Sequence, residues 1–111
     1  MSHVPLGPGA EFDRIRAALA ALGPRAVGVG DDCAVLPEGQ GRVVLSADLS
    51  VEDVHFRRAW LGAEEIGWRA AAAALSDLAA EGAACVGVLA SVALPRGEGG
   101  DAVAALMLGV G

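Results

Sequence analysis

Apolar residues recur along this chain with different periods, and those periods divide it into elements. Over residues 11–22, Phe12, Ile15, Leu19 and Leu22 return at three- and four-residue steps, the spacing of one helical face, and Gly23-Pro24 ends the run. Residues 27–32 alternate as a short strand that residues 34–36 extend, with Gly28, Gly30 and Asp32 on one face and Val27, Val29 and Asp31 on the other. Pro37-Glu38-Gly39-Gln40-Gly41 reads as a turn, and residues 42–48 as a second strand that pairs back in a hairpin. Residues 49–62 are irregular. A long helix is predicted over 63–80, with Glu64 and Glu65 in its first turn, Glu65 placed to pair with Arg69, and Gly82 to close it. Residues 84–94 are almost continuously apolar, the pattern of a strand buried on both faces. A loop over 95–100 leads to a last predicted helix over 102–108. The expectation is an α/β (α+β) domain, a mixed sheet packed with helices, over 11–111 behind a flexible arm over 1–10. With no stop signal before Gly111, the chain reads as part of something longer.

Composition narrows the function classes. A chain of 111 residues suits one domain. Its residues are 54% hydrophobic but only 4% aromatic, so the core is expected to close by backbone approach and not by large side chains. A net charge of −6, with arginine the only basic side chain apart from histidine, argues against a nucleic-acid partner. The absence of lysine excludes a P-loop. Cys33 and Cys85 have no zinc spacing and are expected to be reduced and buried. No uninterrupted apolar run is long enough to span a membrane, so a soluble, cytoplasmic protein with no membrane partner is expected.

Several carboxylates stand where solvent is not expected. Asp32 follows a side-chain-free glycine face, which leaves room for a ligand to approach. Ser46 and Asp48 point the same way at the end of the second predicted strand. Asp77 shares a helical stripe with Ile66, Ala70 and Ala73. Oxygen ligands from separate elements are what Mg²⁺ takes, with room left for water and phosphate. On pattern alone, metal binding and structural capping are balanced for Asp48 and Asp77. A lone His55 is by default a surface or internally satisfied residue, Arg57 and Arg58 a solvated face with phosphate contact as the alternative, and Trp60 and Trp68 core or interface.

Taken together, these blocks resemble a known family. Glu11-Phe12, Gly28-Val29-Gly30-Asp31-Asp32-Cys33-Ala34, Ser46-Ala47-Asp48, Val54-His55-Phe56 and Leu75-Ser76-Asp77-Leu78-Ala79-Ala80-Glu81-Gly82-Ala83 occur in the order found in the N-terminal domain of the thiamine-monophosphate kinases. That family is part of the aminoimidazole ribonucleotide synthetase (PurM-like) superfamily. The resemblance implies transfer of the γ-phosphoryl group of ATP to thiamine monophosphate, giving thiamine diphosphate, with Mg²⁺ as cofactor. It implies metal ligation by Asp32, Ser46, Asp48 and Asp77, with Asp31 a further candidate beside them, and places His55 in the substrate site. It also implies a homodimer formed by joining the N-terminal sheets.

Departures from the family pattern bear on activity. The family commonly has Ser-Thr-Asp-Thr where this chain has Ser46-Ala47-Asp48-Leu49, and asparagine where this chain has Ala74. Its later metal-binding block and C-terminal domain have no counterpart up to Gly111, so the chain alone is not expected to turn over. The alternatives are another ATP-dependent synthetase of the superfamily and a non-catalytic dimerisation or binding module with a degenerate site.

Overall fold

The structure is a computed structural model that describes residues 7–27, 38–39 and 41–111. Its regular elements are three α-helices, α1 (Ala10–Leu22), α2 (Ala63–Ala80) and α3 (Gly100–Val110), with a 3₁₀ turn at Gly23–Arg25. Glycine ends α1: Gly23 has φ 52° and its N–H donates to the Leu19 carbonyl. The α2 termini follow from local chemistry. At the start, Glu65 Oε2 accepts from the Gly62 N–H at 2.7 Å, satisfying one orphan donor of the first turn. At the end, Gly82 adopts φ 65°. The Gly82 N–H donates to the Ala79 carbonyl and the Ala83 N–H to the Leu78 carbonyl, the paired bonds of a Schellman ending. The helix thus spans the residues its sequence predicts. The expected Glu65–Arg69 pair does not form, because Glu65 is engaged at the cap.

Helix α3 is the centre of the fold, packing against both α1 and α2. Contact with α2 runs backbone to backbone through two glycines. A Cβ on Gly67 would collide with the Leu106 carbonyl oxygen, and one on Gly109 with the Glu64 carbonyl oxygen. Ile66 and Ala71 of α2 and Val103 and Met107 of α3 are the buried apolar side chains around this crossing. On the other side Gly100 lies against Ala17 of α1, where an added Cβ would sit 3.1 Å from the alanine methyl. Closure by small residues, as the composition implies, therefore holds for the helical core.

The expected sheet is not there. Among the described residues there is no strand, and the sole pairing is an isolated parallel bridge between Glu52 and Phe56. The predicted strand over 27–36 lies outside the described residues, except for Val27. The predicted strands over 42–48 and 84–94 are irregular and exposed along almost their whole length. Leu45 is 84% and Leu89 81% exposed, so the expectation of burial on both faces at 84–94 fails with the sheet. The physical reason is that strand hydrogen bonds come from a neighbour, not from the segment itself. Alternation and apolar content favour a strand only where a partner and a covering layer are present. The molecule measures 44 × 39 × 18 Å, and a thickness of 18 Å leaves little room for a second packed layer. Helix α2 is accordingly less buried than predicted, with only Ile66, Gly67 and Ala71 fully enclosed.

Candidate functional site

Two of the predicted metal ligands meet. Ser46, in the irregular segment before residue 50, donates its hydroxyl to Oδ2 of Asp77 at 2.7 Å across 31 positions of chain. Asp77 projects near the C-terminal end of α2, where the helix dipole is negative and no basic residue occupies the last turn. A carboxylate there stands in a field that favours a cation. Asp77 is exposed and not on an apolar surface, because the stripe from Ile66 leaves the core at Ala73. Asp48 is exposed too, and its Oδ1 accepts from the Leu49 N–H at 2.8 Å, which leaves Oδ2 available. The Ser76 hydroxyl is turned back onto the Ala73 carbonyl at 2.6 Å, away from this pair.

These donors are hydroxyl and carboxylate oxygens, the chemistry Mg²⁺ selects. Among the described residues they do not make a complete ligand set, since no three acidic, histidine or cysteine side chains converge. Asp31 and Asp32 lie outside the described residues, as does Cys33. Cys85 is a free thiol as expected, but exposed and not buried.

His55 sits in a tight turn over residues 51–56. The Val51 carbonyl accepts from the His55 N–H at 2.8 Å and the Val54 N–H at 3.2 Å, while the Asp53 N–H donates to the Phe56 carbonyl at 2.7 Å. His55 Nδ1 accepts from the Val51 N–H at 3.0 Å, which leaves Nε2 as the protonated nitrogen of the neutral ring. The turn demands an unusual backbone: Asp53 has φ 63°, the only non-glycine positive φ among the described residues. Arg58 anchors its far side, donating to Glu52 at 2.7 Å and to Glu98 at 2.8 Å. The hydrogen bond and charge of Glu52 hold the guanidinium pKa above its ordinary value, with Glu98 adding a smaller share against desolvation. Arg14 of α1 grips the same loop through the Glu98 carbonyl at 2.8 and 3.2 Å.

Beside this turn is a cavity of about 350 Å³, with His55, Phe56, Arg57, Trp60, Leu61 and Arg69 among its lining. The Arg57 guanidinium lies 4.9 Å from the Trp60 ring centroid, a cation–π contact. Arg57 also approaches Asp53 at 3.8 Å. Trp60 is 72% exposed and Trp68 is exposed as well, so of the two expected places, core or interface, the core is ruled out for both. Trp60 and Arg69 carry no sign of their own in the sequence that they line a cavity, whereas Arg57 has phosphate contact as its alternative reading. For Trp60 the available signal was its three-residue step from Arg57 next to His55.

Two sets of polar side chains thus stand on separate elements, an oxygen pair at Ser46 and Asp77 and a partly cationic cavity beside His55. Residues 30–111 match the family described as AIR synthase related protein, N-terminal domain, and the chain belongs to that family. It is 53% identical over 68 residues to the thiamine-monophosphate kinase of Synechococcus elongatus, an overlap covering 60% of this chain and 20% of that protein. It is 39% identical over 83 residues to the thiamine-monophosphate kinase of Mycobacterium tuberculosis, covering 70% and 23% respectively. The Bacillus subtilis thiamine-monophosphate kinase is 40% identical over 70 residues, covering 62% and 22%. The chain therefore spans about a fifth of the length of these curated relatives. No solved structure matches it. No helix among the described residues is long and apolar enough to cross a membrane.

Proposed function

We propose that this chain is the N-terminal, metal-holding part of a kinase that transfers the γ-phosphoryl group of ATP to thiamine monophosphate. The observation that carries this reading is the 2.7 Å contact between Ser46 and Asp77. It brings together two oxygen donors distant in sequence, in a chain whose named relatives are thiamine-monophosphate kinases. In the reaction an acceptor phosphate oxygen forms a bond to the γ-phosphorus, and the bond from that phosphorus to the β–γ bridging oxygen breaks, releasing ADP. Such a transfer needs alignment and charge neutralisation more than a covalent nucleophile. No nucleophilic side chain has to be assigned.

Asp77, Asp48 and Ser46 would hold Mg²⁺, with Asp32 and Asp31 joining from outside the described residues. Bound there, magnesium would neutralise phosphate charge. The chain's own groups do the positioning. Ser46 orients the Asp77 carboxylate by donating to one oxygen, and the α2 C-terminus raises the local preference for positive charge. His55 presents a fixed Nε2–H to the substrate. The soluble, cytoplasmic location and the homodimer implied by the family resemblance belong to this same proposal.

The test is calorimetric titration of Mg²⁺ and of Mg²⁺ with a non-hydrolysable ATP analogue into the 111-residue chain, wild type against Asp77→Ala. Loss of one carboxylate is expected to weaken metal-dependent binding by at least about tenfold. Equal binding by the two proteins, or none by wild type, overturns the metal-site reading. With the later family blocks not among these residues, no conversion of thiamine monophosphate is expected from the chain by itself.

A further inference from the structure

Residues 51–60 carry the His55 turn, and their polar tie to the rest of the chain is narrow. Their backbone hydrogen bonds close within 51–61. The contacts of His55 with Val51 and of Arg57 with Asp53 and Trp60 are internal too. Among the described residues, the one polar contact that leaves this segment is made by Arg58. Its Nε donates to Glu52 inside the turn at 2.7 Å, and its Nη1 to Glu98, 40 positions away, at 2.8 Å. Glu98 is itself held: its carbonyl accepts from Arg14 of α1 at 2.8 and 3.2 Å, and its N–H donates to the Pro95 carbonyl at 3.3 Å. Glu52 in turn is bridged to Phe56, the neighbour of His55. A continuous line of contacts therefore runs from α1 to the turn that holds the imidazole. Two carboxylates on one guanidinium make that line depend on the cation. Without it, Glu52 and Glu98 would be like charges facing each other.

We infer that Arg58 is a positioning residue for His55, and that α1 belongs to the scaffold of that residue although it lies outside residues 30–111, the stretch that matches the family. Arg58 makes no contact with the ring. It holds the Glu52 flank of the turn against the 95–100 loop, and the turn so held presents the Val51 N–H to Nδ1 at 3.0 Å. That hydrogen bond selects the Nε2–H tautomer of the neutral ring. The role matters through the proposed substrate contact of His55 and rests on that reading, yet the ring itself can be observed without substrate or metal.

The experiment is nitrogen-15 NMR of the imidazoles in the intact 111-residue chain at about pH 8, where an ordinary histidine is neutral. His55→Gln assigns the His55 signals against those of the other histidine, His3. Wild type is expected to show Nε2 protonated and Nδ1 as a bare acceptor. Arg58→Gln should move both ring nitrogens, and the Val51 amide, toward the averaged shifts of an unconstrained turn. The urea midpoint should stay close to wild type, because the pairs lost are exposed and the helical core is untouched. Arg58→Lys, which keeps the charge, should restore most of the signature. Adding Glu98→Gln to Arg58→Gln should bring it part of the way back, since it removes the repulsion. Arg14→Gln should shift the ring in the same direction by less. Arg96→Gln, which takes the same charge from the 95–100 loop, should leave it as in wild type. If Arg58→Gln fails to fold, Glu98→Gln alone breaks the same bridge while Arg58 stays on Glu52. Ring signals unmoved by loss of the bridge, moved equally in Arg96→Gln, or moved only with a fallen urea midpoint overturn the inference, and a ring unmoved in Arg14→Gln overturns the part assigned to α1. None of these readouts uses metal, so failure of Mg²⁺ binding at Asp77 leaves them standing, and an unmoved ring leaves Mg²⁺ binding standing.

Discussion

At the scale of single residues, the 51–56 turn depends on Asp53 holding a left-handed backbone at φ 63°. Aspartate tolerates that region better than most residues, and a β-branched side chain does not. Two effects oppose each other on substitution. Asp53→Gly loses an exposed Arg57 contact at 3.8 Å, worth a few tenths of a kcal/mol at most, and adds unfolded-state entropy, but relieves the backbone. Its stability should stay within about 0.5 kcal/mol of wild type. Asp53→Val retains the strain and worsens it, at a cost of about 1–2 kcal/mol. Urea midpoints for the two variants should therefore separate, and coincident midpoints would mean that the turn is not held in this conformation. His55 was readable in sequence as a residue of interest. The geometry that fixes its tautomer was not, because it comes from one backbone N–H four residues away and a positive φ that aspartate does not announce.

At the scale of elements, helices were legible and strands were not, for a physical reason. The signals for α2 are local: Glu65 reaches back to Gly62, and Gly82 turns the chain out through bonds to Leu78 and Ala79. Everything needed to start and stop that helix lies within a few residues of its ends. Residues 84–94 carry an equally strong apolar signal, yet a strand is completed only by another segment, and none among the described residues supplies it. The site divides in the same way. The blocks containing Ser46 and Asp77 could be recognised separately, and their meeting at 2.7 Å is a tertiary fact. Helix packing carries its own prediction. Alanine at an exposed helical glycine gains about 0.5–1 kcal/mol. At Gly67 the new methyl would meet the Leu106 carbonyl, and at Gly109 the Glu64 carbonyl, neither of which can rotate away. Overpacking of about 1–3 kcal/mol should win, so Gly67→Ala is expected to lower the denaturation midpoint. A raised midpoint would show that α2 and α3 do not approach so closely.

At the scale of the whole molecule, a slab 18 Å thick encloses four apolar side chains among the described residues and leaves many others in water. Leu45, Leu89, Val43 and Val54 are each at least three-quarters or nearly three-quarters exposed, and the first three belong to segments with no regular structure. Exposed apolar surface of this extent drives association, since each large side chain removed from water is worth roughly 1.5–3 kcal/mol. The net charge of −6 opposes it through repulsion that salt screens. The chain should therefore associate with rising concentration, and more strongly as salt is added. Replacing Leu45 and Leu89 together by glutamine should shift sedimentation velocity profiles toward the monomer. Because neither side chain contributes to the helical core, the urea midpoint measured at low concentration should barely move. Association unchanged in the double variant would place the driving surface elsewhere, with Trp68 and Leu108, exposed side by side at the α2–α3 cavity, the next pair to replace.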